Sequence, residues 1–462
     1  LTADTGDRTG PTASITALGA RAGGAVRRWP WWLQVAVLYA AARLVSACIF
    51  MAAALHQGPN PWFAPKPDYW NFINIWDARW YGRIITDGYP STLPTDAAGN
   101  VQENAWAFYP LFPALGRALA GLTGISPAAA LTVIAMLSGL GAAMAVYCLF
   151  RHMASHTAAL WGVAFFATFP VSAILQVPYA EPLTIFLLAT ALLLVIRRHY
   201  FSAMPAVLLL CLSRPVGVPF AAMLGLLFLW RLVERGRTPR SGSHSPGHLV
   251  ALAGLTVVCG VSALLWPVAA WAATGDIEAY TKTETVWRGH DLVPFRPWFD
   301  TGVDLFGPVL GILAPFFFVG LFALLLFSPP VARLGVELRL WCACYMGYLL
   351  LFLHPQTSTF RMLLPLFPLA VSAAWLSRSK AYRGTVLTMF LLLQIVWIVW
   401  LWAWAQLPGG GWPVGAISEI LLPATATILA GEGRLGLQVE RDVVEEQIAV
   451  LLRVGVRAPD DL

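Results

Sequence analysis

Four charged side chains stand out because each lies beside an apolar run, where a charge is costly unless it is paired or used. Asp77 lies in NIWDARWYGRIITDGYP, Glu181 in VPYAEPL, Arg214 in LSRPVG and Arg361 in HPQTSTFR. Carboxylates can take up a proton and guanidinium groups can hold a developing anion, so this set has the parts for a group transfer. Each also has a plainer reading. Asp77 opens the stretch Asp77–Gly88, where a carboxylate can simply cap the first amides of a helix. Glu181 and Arg214 can pair for structure alone. Arg43, inside YAAARLVSA, has no acid near it in sequence, so it must meet a carboxylate, carbonyl groups or a phosphate.

Other candidates carry less. Trp287, Arg288, His290 and Asp291 mix aromatics with charge in a second polar stretch, and a solvated loop is the simpler account of them than metal ligation. The six cysteines, Cys48, Cys148, Cys211, Cys259, Cys342 and Cys344, all sit in apolar runs and read as small buried hydrophobes, including the lone Cys342-x-Cys344 pair. They leave the redox compartment open.

The elements that must position these residues follow from composition. Of 462 residues, 58% are hydrophobic and 12% charged, and the mean hydropathy is +0.67. A soluble domain needs about twice that charge to cover its surface, so a set of soluble domains is excluded. The chain reads as an all-α polytopic membrane protein. The first apolar run, Trp31–Leu55, is too long for a cleaved signal and reads as a retained span. Further spans are predicted near Ala128–Phe150, Ala158–Val177, Leu183–Ile196, Phe201–Leu212, Val216–Trp230, Leu249–Ala273, Phe306–Phe327, Val336–Leu353, Met362–Trp375 and Val386–Leu407. That makes about eleven, several short enough to be tilted or broken at proline.

The net charge of +6 does not point to nucleic acid, because the cations sit in short loops between spans. With the N-terminus (1–30) in the cytoplasm, Arg151, Arg197, Arg198, Arg231, Arg235, Arg237, Arg240, Arg333, Arg339, Arg378, Lys380 and Arg383 all fall on the cytoplasmic side. Keeping them there requires Ala105–Leu122 to lie in the interface rather than to cross. The opposite side then owns two long loops, about 57–127 and 274–305, while 231–248 is a flexible cytoplasmic linker. In the first loop, Trp76, Trp80, Tyr81, Ile84, Ile85 and Tyr89 form an apolar stripe if Asp77–Gly88 is helical, and such a helix is expected to lie aromatic face down in the membrane interface. The catalytic unit is expected to span 31–407, with a tail, 408–462, of no assigned role.

The motifs Trp76-Asp77-Ala78-Arg79-Trp80-Tyr81, Asp87-Gly88-Tyr89-Pro90 and Phe108-Tyr109-Pro110-Leu111-Phe112-Pro113 resemble the first-loop signature of the PIG-V mannosyltransferases. Pro178-Tyr179-Ala180-Glu181-Pro182-Leu183 and Ser213-Arg214-Pro215-Val216-Gly217 are similar to two further elements of that family, although Pro182 replaces its usual small polar residue. The resemblance runs to about residue 407. It implies a GT-C glycosyltransferase fold, a polyprenyl-phosphate sugar donor (usually mannose), a lipid or glycan acceptor, contact with membrane lipids, and no cofactor, metal or nucleic acid. Asp77 would then be the general base of an inverting displacement. Arg214, Arg361 and Arg43 would steady the lipid phosphate, and Glu181 would orient the acceptor or an arginine. Trp80, Tyr81, Tyr89, Tyr179, His354 and Gln356 join them as substrate-binding candidates, and Trp106 is a further candidate lining for the sugar. The Ala, Gly, Arg and Trp content looks actinobacterial, where GPI anchors are not made, so fold and donor class carry over better than the acceptor. A flippase for lipid-linked sugars, a structural envelope subunit, and a GT-C enzyme using another polyprenyl-phosphate sugar such as arabinose are the rival readings.

Overall fold

The computed structural model describes residues 28–60, 62–237, 246–287, 293–355 and 357–403. They form a helical bundle: α1 Trp31–Leu55, α2 Asp77–Asp87, α3 Leu111–Thr123, α4 Pro127–Met153, α5 His156–Thr168, α6 Glu181–Ile196, α7 Tyr200–Cys211, α8 Gly217–Arg237, α9 Pro246–Thr274, α10 Ala279–Val286, α11 Arg296–Phe327, α12 Gly335–Phe352, α13 Leu369–Leu376 and α14 Lys380–Trp397. Among the described residues there is no sheet, only two isolated bridges, Asn60 with Phe63 and Thr95 with Val101.

Among the described residues, seven helices are long and apolar enough to cross a membrane: α1, α4, α8, α9, α11, α12, and α14 with its π-helical extension to Trp402. The other four expected spans are helical but broken or short. Pro170 separates α5 from a 3-10 turn at Ser172–Gln176. α6 has 16 residues and α7 has 12. A 3-10 segment, Thr357–Leu366, and α13 meet at a bend of 74°. Proline explains most of these breaks: Pro170, Pro178, Pro215 and Pro368 each lie where the backbone leaves a helix.

α6 is the centre of the bundle. It is apolar on every side, as a fully enclosed helix must be, and Leu183, Ile185, Leu188, Ala189, Ala191 and Leu192 are all buried. It packs along α4 and against α7, with α12 and the 3-10 segment touching its N-terminal half. α11 stands at the other extreme, and its side chains face outward almost all round, Val309 and Phe317 among them. It is also not one helix. Gly307 has φ 78° and ψ 174°, and the backbones of Gly302 and Gly311 touch, which nine residues of continuous helix would hold about 13 Å apart. Residues 296–306 and 308–327 are therefore two arms of a hairpin. The second arm, about 30 Å long, can cross a bilayer by itself.

Three sequence expectations need correction. α8 continues to Arg237 rather than giving way to a linker at 231, with Arg235 and Arg237 in its last turn, where cations oppose the helix dipole. The second long loop contains α10 and the start of α11. The aromatic face of α2 does not lie on lipid: Tyr81, Ile84 and Ile85 are buried in the protein core, with Tyr81 edge-on to Phe108 and Phe112. That stripe was apolar because it packs, and hydropathy cannot tell the two solvents apart. The expected interfacial segment forms a turn at Ala105–Ala107 followed by α3, which packs on α2 and α4. The calls on residues 1–27, Arg240 and 408–462 lie outside the described residues, as do Arg288, His290, Asp291 and Gln356.

Candidate active site

Four parts of the chain deliver one charged side chain each to a single buried point. Asp77 is the first residue of α2, Glu181 the first of α6, Arg214 lies in the turn between α7 and α8, and Arg361 lies in the 3-10 segment. Arg361 grips the Asp77 carboxylate as a fork, Nη1 to Oδ2 at 2.7 Å and Nη2 to Oδ1 at 3.2 Å. Arg214 Nη2 donates to the same Oδ2 at 3.3 Å and lies 3.1 Å from Glu181 Oε1. Arg361 Nη1 is 3.5 Å from that Glu181 oxygen. The side chains are only 6–16% exposed. Two carboxylates and two guanidinium groups thus form a neutral, buried quartet.

Each member is held by local structure. Trp76 precedes Asp77 with φ 55° and ψ −124°, a strained conformation for a bulky residue that costs about 1–3 kcal/mol. It is fixed there by its indole N–H, which donates to the Trp402 carbonyl at 3.2 Å, and by Trp62, edge-on at 5.2 Å. Tyr179 Oη accepts from the Asp77 amide and donates to the Ile75 carbonyl, both at 3.3 Å, while the Arg361 guanidinium lies over its ring. Asp77 therefore does not cap its helix with its carboxylate; that group is turned wholly to the arginines. Pro182 sits in the first turn of α6, where its missing N–H costs nothing, so it suits Glu181 rather than disturbing it. Thr184 Oγ1 bonds Ser213 Oγ at 3.1 Å, tying α6 to the turn that carries Arg214. Tyr345 and Trp341 of α12 donate to the carbonyls of Met362 and Pro365 and fix the 3-10 segment around Arg361.

The electrostatics follow from this packing. Burial alone would push the Asp77 carboxyl up, and Arg361 and Arg214 outweigh it, holding the group below the usual carboxylate range. Burial raises the phenols of Tyr179 and Tyr81, so both stay protonated beside the quartet. Glu181 is the unsatisfied member. Both its oxygens are buried and neither receives a hydrogen bond, since the two arginine approaches are close but poorly aligned. Arg361 Nε is likewise buried without an acceptor. Among the described residues no three His, Cys, Asp or Glu side chains come together as a metal-ligand set.

A cleft of about 90 Å³ opens beside Glu181, Arg214 and Arg361. Its walls are apolar, built from Ile185 of α6, Tyr345, Leu349 and Phe352 of α12, and Leu353 and Leu364 beyond. An acidic and basic head at the end of a greasy slot suits an amphiphile with a charged group.

The remaining candidates fall elsewhere. Arg43 is not in the quartet. It donates to the carbonyls of Ser172 and Ala167 and to Ser172 Oγ, so the acceptors it meets in the bundle are carbonyls and a hydroxyl. Trp80 stacks on Phe108 and meets Trp287 edge-on, outside the quartet, with Arg83 over its ring. Tyr89 donates to the Phe108 carbonyl and packs with Trp106 and Trp266 in a separate aromatic cluster. Trp106 is 3% exposed there, which leaves it no open face for a sugar. His354 precedes the 3-10 segment, and its Nδ1 is buried without a hydrogen bond. Sequence reasoning missed Trp402, whose N–H bonds the Phe72 carbonyl and whose carbonyl holds Trp76. Inside an apolar run it looks like any lipid-facing tryptophan.

The fold and site define a polytopic helical membrane protein with a buried ion quartet at the head of an apolar cleft. In structure the chain is similar to the oligosaccharyltransferase of Archaeoglobus fulgidus tethered with an acceptor peptide, at 15% identity and a TM-score of 0.38, covering 81% of this chain and 55% of that one. The apo form of that enzyme gives 15% identity and a TM-score of 0.34, over 90% of this chain and 54% of that one. Its complex with an inhibitory peptide and a dolichol-phosphate also gives 15% and 0.34, over 91% and 54%. The chain thus spans about half the length of these structures. No family model matches the chain, and no curated protein matches it.

Proposed function

We propose that this protein is a GT-C membrane glycosyltransferase of the PIG-V type, which moves a mannosyl residue from polyprenyl-phosphate-mannose to a lipid or cell-envelope acceptor. The observation that carries this reading is the convergence of Asp77, Glu181, Arg214 and Arg361, the last three of which line the head of the apolar cleft. The cleft suits a polyprenyl chain and the arginines suit its phosphate. The reaction is a single displacement with inversion. The acceptor oxygen attacks the anomeric carbon, its proton passes to the Asp77 carboxylate, and the bond from that carbon to the phosphate oxygen breaks, leaving its electrons on the phosphate. Arg214 and Arg361 stabilise that charge, so no general acid is needed. Glu181, buried without a hydrogen bond, would accept one from a second hydroxyl of the acceptor and so orient it.

The same helices support an extracytoplasmic site. α6 and α8 start at the quartet and end at Arg197 and at Arg235 and Arg237, so the cations collect at the far end, and the positive-inside tendency puts the quartet outside the cytoplasm. The test uses the full chain in nanodiscs with radiolabelled polyprenyl-phosphate-mannose and envelope lipids. Turnover is expected in the wild type and should fall by about 10²–10⁴-fold in Asp77→Asn. Turnover indifferent to that change would remove Asp77 as the base. Binding of polyprenyl-phosphate sugars with no transfer of any of them would favour the flippase.

A further inference from the structure

In the structure described above, the cations that should greet a phosphate are already in use. Arg361 gives both terminal nitrogens to Asp77, and Arg214 gives Nη2 to Asp77 while facing Glu181. No net positive charge is waiting, and the point is too buried for water to screen an added anion. Arg361 Nε has no acceptor and Arg214 Nη1 meets only the Met362 sulfur at 3.7 Å, so a phosphate can touch these first, but it can gain the charge of a guanidinium only at a carboxylate's expense. Asp77 is the carboxylate that would lose most, since it holds all the hydrogen bonds and Glu181 holds none.

We infer that Arg214 and Arg361 are exchanged between Asp77 and the donor phosphate, so that donor binding itself releases Asp77 to act as a base and must precede deprotonation of the acceptor. This rests on the lipid-phosphate reading above. While both arginines hold it, Asp77 is too weak a base to take a proton from an alcohol. Once the phosphate draws them away, its basicity rises beside the acceptor. In the transfer step the proton cancels the charge on Asp77 as the phosphate gains one, so the arginines face the same total negative charge throughout. The groups that face Asp77 are Arg214, Arg361, Glu181, Tyr179 and Tyr81, and both phenols stay neutral below pH 8.

Exchange links anion binding to protonation. If the anion loosens the arginines from Asp77, the bound state holds a proton more readily than the free state. Affinity then climbs as pH falls through the carboxylate range, by up to about tenfold per pH unit, and is flat above it. The probe is an isoprenyl methyl phosphodiester, which keeps one charge from pH 4.5 to 8 and has no sugar to transfer. Its dissociation constant is measured by calorimetry on the full chain in nanodiscs, with protons counted at pH 5 from buffers of different ionisation enthalpy. The expected result is proton uptake at pH 5 and tighter binding toward low pH in the wild type. The same slope should appear in Glu181→Gln, and Asp77→Asn should show tighter, pH-independent binding. Tight wild-type binding with no slope and no proton uptake overturns the exchange and leaves the lipid-phosphate reading standing. A slope that survives in Asp77→Asn and vanishes in Glu181→Gln overturns it as well. No binding by the wild type at any pH takes down the exchange together with the reading beneath it. The wild-type slope and proton count test the exchange even if a variant fails to fold, and either variant alone then tells Asp77 from Glu181 as the carboxylate released.

Discussion

At the scale of single residues, the quartet makes two demands that can be measured apart from activity. Removing one partner leaves a buried charge uncompensated, so Arg361→Gln should lower stability by about 3–5 kcal/mol and Asp77→Asn should lower it too, while replacing both in Asp77→Asn/Arg361→Gln should recover much of the loss. Thermal unfolding of the four proteins in one detergent checks it; an additive double variant would mean that the fork contributes nothing. Acid gives the second handle. Asp77 has its carboxyl held below its ordinary value, so its contribution to stability is fully present above about pH 4 and is lost as pH falls through the lowered folded value. Unfolding midpoints should therefore be flat in this term from pH 5 to 8 and drop on the acid side, and Asp77→Asn should lose that acid limb. The sequence marked all four residues because charges beside apolar runs are conspicuous. It could not show that the arginines are spent on the carboxylates, since that depends on contacts between residues up to 284 positions apart.

At the scale of elements, Arg43 and Gly139 hold the broken stretch between α5 and α6 that ends in Tyr179 and Glu181. α5 stops at Thr168 and leaves carbonyls without amide partners inside the bundle; Arg43 serves those of Ala167 and Ser172. Tyr39 Oη reaches the Leu175 carbonyl at 3.1 Å only because Gly139 has no side chain, and a methyl group there would overlap the hydroxyl. Arg43→Met should cost about 2–5 kcal/mol, since buried carbonyls lose charged donors. Gly139→Val should cost a similar amount by displacing Tyr39. Both would show in unfolding midpoints, and an unchanged Arg43→Met would mean that water takes over the carbonyls. The sequence made α1 and α2 legible to within a residue, because apolar length and the Gly88 stop are local signals. It placed a span at Phe306–Phe327, close to the second arm of α11, because the charged stretch RPWFDTGVDLF gives way there to an unbroken apolar run, and it left the first arm in the external loop, where Arg296, Asp300 and Asp304 hide the helix from an apolar-length criterion.

At the scale of the whole molecule, the proposed sidedness is testable without knowing any substrate. Thr86 is exposed in the last turn of α2, about 13 Å along the helix from Asp77, and His199 lies just beyond the far end of α6. In a background without the six native cysteines, Thr86→Cys should react with an impermeant maleimide on intact cells, and His199→Cys only after permeabilisation. The reverse pattern would place the quartet in the cytoplasm and remove the lipid-linked donor's expected side.

The shortness of α6 and α7 bears on the bilayer itself. Helices of 16 and 12 residues rise about 24 and 18 Å, against a hydrocarbon layer about 30 Å thick. α6 is enclosed by protein, so it is α7, with Phe201, Leu208 and Leu209 exposed, that brings its mismatch of about 12 Å to lipid, where local thinning would draw headgroups toward the midplane. α7 ends at Cys211, just before the turn that carries Arg214, so such a dip would lie beside the quartet. A lipid-borne phosphate sliding along the leaflet would reach this dimple without leaving its own depth in the headgroup layer.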